Sequence, residues 1–212
     1  MRFRWKIAQA AELKWWKNYL QNKEPKAYLE WKSTYWGDFL KKCNVVIPEG
    51  LNCLDAGCGP AGIFIILDKQ KTDALDPLLE QYETKLSIFK KVHYPTVNFI
   101  SSSIESLDSN TPYDLIFCLN AINHVSDWKK SIGNLMGHLK LGGKMILSTD
   151  VHRYTFLKPI FRLLPGDILH PQQHSLQDYM AVLNGYEPES LEKVLINRDA
   201  IFDYYAFIIK KK

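Results

Sequence analysis

The sequence predicts an α/β fold, and three observations carry that reading. From about residue 50 onward, short apolar runs bounded by turn residues alternate with amphipathic helical stretches. Asn52-Cys53-Leu54-Asp55-Ala56 reads as a buried strand, and the Gly57-Cys58-Gly59-Pro60-Ala61-Gly62 that follows is a G-x-G-x-x-G turn. Asp76 stands 21 positions beyond Asp55 at the end of the next strand. That is close to the spacing of about 20 residues at which a carboxylate meets a ribose diol.

Composition narrows the class. The chain has 212 residues, 46% hydrophobic and 24% charged, enough for one α/β domain with a full core. The net charge is +4 with basic residues scattered outside a Lys210-Lys211-Lys212 tail, which predicts no nucleic-acid partner. Cys43, Cys53, Cys58 and Cys118 form no C-x-x-C pair and no zinc-ligand spacing, and three fall in or beside apolar strands. A reducing, cytoplasmic setting is expected. No apolar run approaches the roughly 18 residues of a span, so no membrane association is expected, and Met1 to Trp16 lacks a signal-peptide core.

Taken in order, residues from about 7 to 43 read as two helices. Ala8, Ala11, Trp15, Trp16, Tyr19 and Leu20 recur at helical spacing in the first. Pro25 suits the first turn of the second, whose stripe is Tyr28, Trp31, Tyr35, Trp36, Phe39 and Leu40. Five of the 6 tryptophans precede residue 37, fitting either a helical pair packed on the sheet edge or a lid over a small-molecule pocket. Lys32 and Trp36 share a face. After Pro48-Glu49-Gly50 come the first strand and then a helix over about 62–68. Ile63-Phe64-Ile65-Ile66 could itself be a strand, but its position behind the glycine turn favours helix.

The second strand, 72–75, ends in Asp76-Pro77, and Asp76 also suits the N-cap of a helix running to about Val92. Val97–Ile100 is the third strand, followed by Ser101-Ser102-Ser103-Ile104-Glu105. Tyr113–Leu119 is the fourth, followed by Asn120-Ala121-Ile122-Asn123-His124-Val125. Ser126-Asp127 caps a helix from Trp128 to Leu139, and Leu139-Lys140-Leu141-Gly142-Gly143 turns the chain into a strand over Met145–Thr149. Residues 150–175 are irregular and leave the carboxyl end of a strand, where they can roof a site. His170 and His174 are four apart with Pro171 between them and no third ligand, which predicts no metal. Ser175 caps a last helix bearing Leu176, Tyr179, Met180 and Leu183. Residues 192–197 and 203–209 read as a hairpin.

Three of these features together resemble the class I S-adenosylmethionine-dependent methyltransferases: the acidic residue before G-x-G, the Leu-Lys-x-Gly-Gly before a strand, and the terminal hairpin. The likeness covers about residues 50–209. It implies a doubly wound, mostly parallel seven-stranded sheet of order 3-2-1-4-5-7-6, with residues 1–45 as an N-terminal helical cap on one domain spanning 1–212. It implies S-adenosylmethionine as cofactor, S-adenosylhomocysteine as product, and a cofactor site at Asp55, Ala56, Gly57, Gly59, Asp76, Pro77, Ser103, Ile104 and Asn120. Lys32 would reach the methionyl carboxylate beside Trp36. Ser103 departs from the family, which often has an acidic residue there for the adenine amino group. A serine still accepts a hydrogen bond, and Ile104 can pack on the ring.

His124 suits either a general base or a loop-ordering role, and His170, His174 and Tyr179 are candidates for acceptor contact. The acceptor implied is a small molecule, methylated on oxygen, nitrogen or carbon by a monomer or homodimer. An Asn/Asp-Pro-Pro-Tyr base-methylation motif is absent after the fourth strand. A nicotinamide oxidoreductase would share the glycine turn and Asp76 but not Gly142-Gly143 or the hairpin. A non-catalytic S-adenosylmethionine-binding or interaction protein is the alternative that Ser103 leaves open.

Overall fold

The computed structural model describes residues 2–108, 112–152, 174–199 and 201–212. Seven strands form one sheet in the order β3-β2-β1-β4-β5-β7-β6. They are β1 (Asn52–Ala56), β2 (Lys71–Leu75), β3 (Val97–Ile100), β4 (Tyr113–Leu119), β5 (Leu139–His152), β6 (Ser190–Arg198) and β7 (Phe202–Lys210). The pairs β1–β2, β2–β3, β1–β4 and β4–β5 are parallel, whereas β7 runs antiparallel to both β5 and β6. The sheet order therefore reverses at β1 and β4, and the outer ends of those strands open the crevice where ligands bind in such folds. β1 and β4 are buried almost throughout, as strands covered on both faces must be.

Among the described residues five α-helices accompany the sheet: α1 (Arg2–Leu20), α2 (Pro25–Lys42), α3 (Leu79–Lys85), α4 (Trp128–His138) and α5 (Leu176–Asn184). α2 starts where Pro25 fixes the backbone and where the Glu24 carboxylate accepts hydrogen bonds from Lys26 N at 3.0 Å and Ala27 N at 2.6 Å. α5 starts on a capping box between Ser175 and Asp178. β5 begins earlier than the sequence pattern implies. Leu139 already pairs with Tyr113 of β4, and Gly142 and Gly143 exchange backbone hydrogen bonds with Lys211. Lys140 Nζ meets Asp114 Oδ1 at 2.7 Å while Asp114 Oδ2 accepts from Asn52 N at 2.9 Å. One carboxylate thus ties β1, β4 and β5 at their entrance.

Two expected helices take other forms. Behind the glycine turn, residues 59–61 and 63–66 form short 3-10 turns rather than an α-helix. The Asp55 Oδ2 accepts from Phe64 N at 3.0 Å and fastens the start of the second turn beneath the strand end. α3 stops at Lys85 rather than near Val92, because Leu86 turns extended and is buried in the same apolar cluster as Tyr82 and Phe89.

Candidate active site

A cavity of about 550 Å³ lies beyond the carboxyl ends of the strands, roofed by α1 and α2. Its floor is the glycine turn. Gly57 has φ +73°, and a Cβ there would run into the Cβ of Ala121, so this position accepts only glycine without a shift of the loop after β4. A Cβ on Gly62 would strike the Asp55 carboxylate and the Cys58 carbonyl. Asp55 itself does not face the cavity. It is fully buried under the turn, and burial pushes its carboxyl up to about 7, against the pull of the Phe64 N–H. Ala56 is likewise buried and off the cavity wall. Both are expected from the resemblance among the cofactor contacts, and both lie beneath the turn rather than on the cavity wall.

Asp76 is on the wall. Its Oδ2 accepts from Gly59 N at 3.0 Å and its Oδ1 from Leu78 N at 2.8 Å, so both oxygens are aimed and each keeps a lone pair. Burial first, and the nearby Glu12 carboxylate second, push its pKa up to about 7. Glu12 comes from α1, accepts from Tyr82 Oη at 3.1 Å, and is itself raised by burial. Gln9, one helical turn earlier, adds a buried Nε2 donor with no hydrogen-bond partner. Neither α1 residue had a signal in the sequence, since nothing there places a helix 64 positions upstream of Asp76 against it. A pair of aimed carboxylates, an orphaned donor and a glycine cradle fit a nucleoside with a free diol.

Pro77, Ser103, Ile104, Asn120 and His124 complete that side of the cavity. Glu105 holds the Ser103–Leu107 stretch to the start of α4, accepting from Ser126 N at 2.7 Å and Ser126 Oγ at 2.8 Å. Asn120 sits at φ +54°, a left-handed conformation that asparagine tolerates better than most residues. Its N–H donates to Ser148 O at 2.9 Å. That geometry turns the loop after β4 inward against Gly57.

The far wall is aromatic. Trp36 is buried and its Nε1 donates to Ala61 O at 3.1 Å, fastening α2 to the glycine turn. Lys32 Nζ lies 4.3 Å from the Trp36 ring centre and 4.8 Å from that of Tyr35, a cation–π seat. Burial lowers its pKa to about 8, with Asp55 partly offsetting this. Beyond it, Asp150, Asn197 and Tyr204 bring β5, β6 and β7 to the wall. Tyr204 Oη bonds Ser148 Oγ at 2.6 Å.

Other candidates lie elsewhere. Tyr179 is fully buried between Trp128, at 5.0 Å, and Phe207, at 5.8 Å, with no face on the cavity. His174 stacks on Trp128 at 4.1 Å and is also off the cavity wall. His170 lies outside the described residues. Among the described residues no cluster of three or more His, Cys, Asp or Glu could hold a metal, and no helix is long and apolar enough to cross a membrane.

A seven-stranded sheet in this order, with a glycine turn and an aimed carboxylate at its switch point, defines a class I S-adenosylmethionine-dependent methyltransferase. The chain belongs to the family described as "Methyltransferase domain", whose model matches residues 28–195. Among curated relatives it is similar to a ubiquinone biosynthesis O-methyltransferase of Rickettsia felis, 40% identical over 101 residues. The corresponding protein of Rickettsia akari is 37% identical over the same length. The matched stretch covers 47% of this chain but only 41% and 40% of those relatives, well under half of either. Among solved structures, magnesium protoporphyrin IX methyltransferase from Synechocystis PCC 6803 with bound S-adenosylhomocysteine aligns with a TM-score of 0.60 at 17% identity, covering 93% of this chain and 92% of that one. The YcgJ protein of Bacillus subtilis aligns at 0.65 and 15%, covering 82% and 97%. At such identities the likeness is one of fold.

Proposed function

We propose that this chain transfers the methyl group of S-adenosylmethionine to an aromatic-bearing small molecule, with hydroxyl oxygen as the favoured acceptor atom. One observation carries the reading: a single cavity joins the Gly57 turn and Asp76 to the aromatic wall of α1 and α2, so nucleoside and acceptor ends are contiguous. The preference for oxygen rests on the Rickettsia relatives, which are named O-methyltransferases. The same reading takes residues 1–212 as one domain with a helical cap, since α1 and α2 contribute walls to the site.

When bound, S-adenosylmethionine supplies a methyl already activated on a sulfonium, so this chain's residues act mainly by binding, orienting and excluding water. Asp76 accepts from the ribose hydroxyls, and Glu12 offers a second carboxylate beside it. Ile104 packs on the adenine, with Ser103 at its edge. Lys32 holds the methionyl carboxylate, its charge kept in place by the Tyr35 and Trp36 rings. His124 stands on the wall where an acceptor proton can be taken up.

Calorimetric titration with S-adenosylmethionine, S-adenosylhomocysteine and NAD tests this. Micromolar-range binding of the two sulfur ligands, weakened about tenfold or more in Asp76→Ala, is the expected result. Binding of NAD alone, or of none of the three, would refute it.

A further inference from the structure

The cap does more than close the cavity. Its outer surface exposes Trp15 (45%), Tyr19 (36%) and Trp31 (52%), large apolar side chains that rarely gather on a surface without a partner. They are contiguous: Trp15 stacks on Tyr19 at 4.8 Å, Tyr19 meets Tyr28 at 6.0 Å, and Tyr28 meets Trp31 at 5.6 Å. All four also line the cavity, so this aromatic ledge is its lip.

Charge gathers on the same helices. Ten of the 27 basic residues but only four of the 23 acidic ones fall within residues 1–42, so this part carries +6 while the rest of the chain carries −2. Lys23 Nζ lies 4.5 Å from the Tyr19 ring centre, and Lys14, Lys17 and Lys26 are exposed along α1 and the start of α2. The chain's mild overall charge hides this division.

We propose that the lip of the cavity docks on an anionic phospholipid surface. Indole and phenol rings favour the headgroup layer, where an apolar body and a polar edge are both satisfied, and lysines around them meet lipid phosphates. A second copy of this chain is disfavoured as the occupant because two caps of +6 would face each other. Single-stranded nucleic acid would need open ring faces for base stacking, and Tyr19 is already engaged by Trp15 and Lys23. Resting on the methyltransferase reading, the inference adds that the acceptor is amphipathic and enters from the bilayer, its reactive head inside the cavity and its apolar part between Trp15 and Trp31.

Co-sedimentation with phosphatidylcholine vesicles, with and without phosphatidylglycerol, tests the docking without cofactor or acceptor, so its failure leaves the proposed reaction to the calorimetric titration. The expected result is partition onto the anionic vesicles that falls in high salt. Lys23→Gln should lower it about fivefold, and Trp15→Ser combined with Trp31→Ser about tenfold or more. The melting curve shows whether the double variant is folded, and Lys23→Gln keeps the test open if it is not. No partition, partition untouched by Lys23→Gln, preference for single-stranded RNA in competition, or self-association of the cap in place of vesicle binding would each overturn the proposal.

Discussion

At the scale of single residues the site is built around two opposed titrations. In the proposed role of ribose acceptor Asp76 must be ionised, and its pKa stands at about 7, raised by burial and by Glu12. In its proposed role beside the methionyl carboxylate Lys32 must be protonated, and its pKa stands at about 8, lowered by burial. Cofactor affinity should therefore rise through about pH 7 and fall above about pH 8. Glu12→Gln removes a like charge, lowers the Asp76 pKa and should extend binding toward acid pH. Calorimetry across this range checks both limbs, and an unchanged acid limb in the variant would show that Glu12 does not act on Asp76. Part of this was legible in sequence: Gly57 and Gly59 mark the turn, and Asp76 stands where its carboxylate meets that turn through Gly59 N. Glu12 and Gln9 were not, because their contribution depends on how α1 lies across the sheet. Asp55 was legible as important but not in its position, since a carboxylate beneath a turn and one beside a ligand look alike in a chain.

Among the elements, the glycine turn and α2 are held together by few contacts of high consequence. Gly62→Ala would force a methyl against the Asp55 carboxylate and the Cys58 carbonyl, and should destabilise the fold by about 1–3 kcal/mol, the cost of an overpacked core. Thermal melting reads this directly, and an unshifted midpoint would show that the turn relaxes freely. Trp36→Phe keeps the ring but deletes the hydrogen bond to Ala61 O, leaving that carbonyl unpaired by the indole. A loss of about 1 kcal/mol is expected, with weaker cofactor binding because Lys32 rides on the same helix. The strands were readable from their apolar runs, and the antiparallel hairpin from its spacing. The stretch behind the glycine turn was not: Ile63-Phe64-Ile65-Ile66 is apolar throughout, with no helical face to read, and its short 3-10 form rests on contacts such as the Asp55 bond to Phe64 N that no local pattern reveals.

For the whole molecule, two fully buried acids dominate the response to pH. Asp55 and Asp76 both have folded-state pKa values of about 7, above the value near 4 expected of an unfolded aspartate. The folded state therefore binds more protons than the unfolded one between those limits. The stability they contribute is fully present below about pH 4 and is lost as pH rises through 7. Asp114 works the other way. Burial raises its pKa, but Lys140 and the Asn52 N–H outweigh that and hold it below the usual range, so its contribution fades only in acid. The ligand-free chain should melt lower above pH 7 than just below it, and Asp55→Asn should flatten that slope. A melting temperature independent of pH across this interval would mean that neither carboxyl is protonated in the folded chain.

The distribution of indoles gives the molecule a built-in optical division of labour. α1 and α2 hold five of the 6 tryptophans, while Trp128 alone belongs to the sheet side, packed against Tyr179 and His174. Intrinsic emission is therefore dominated by the cap. A spectral change that precedes the loss of far-ultraviolet ellipticity would report the two N-terminal helices lifting away while the sheet stays intact, and the depth of that lag would measure how independently the roof can open.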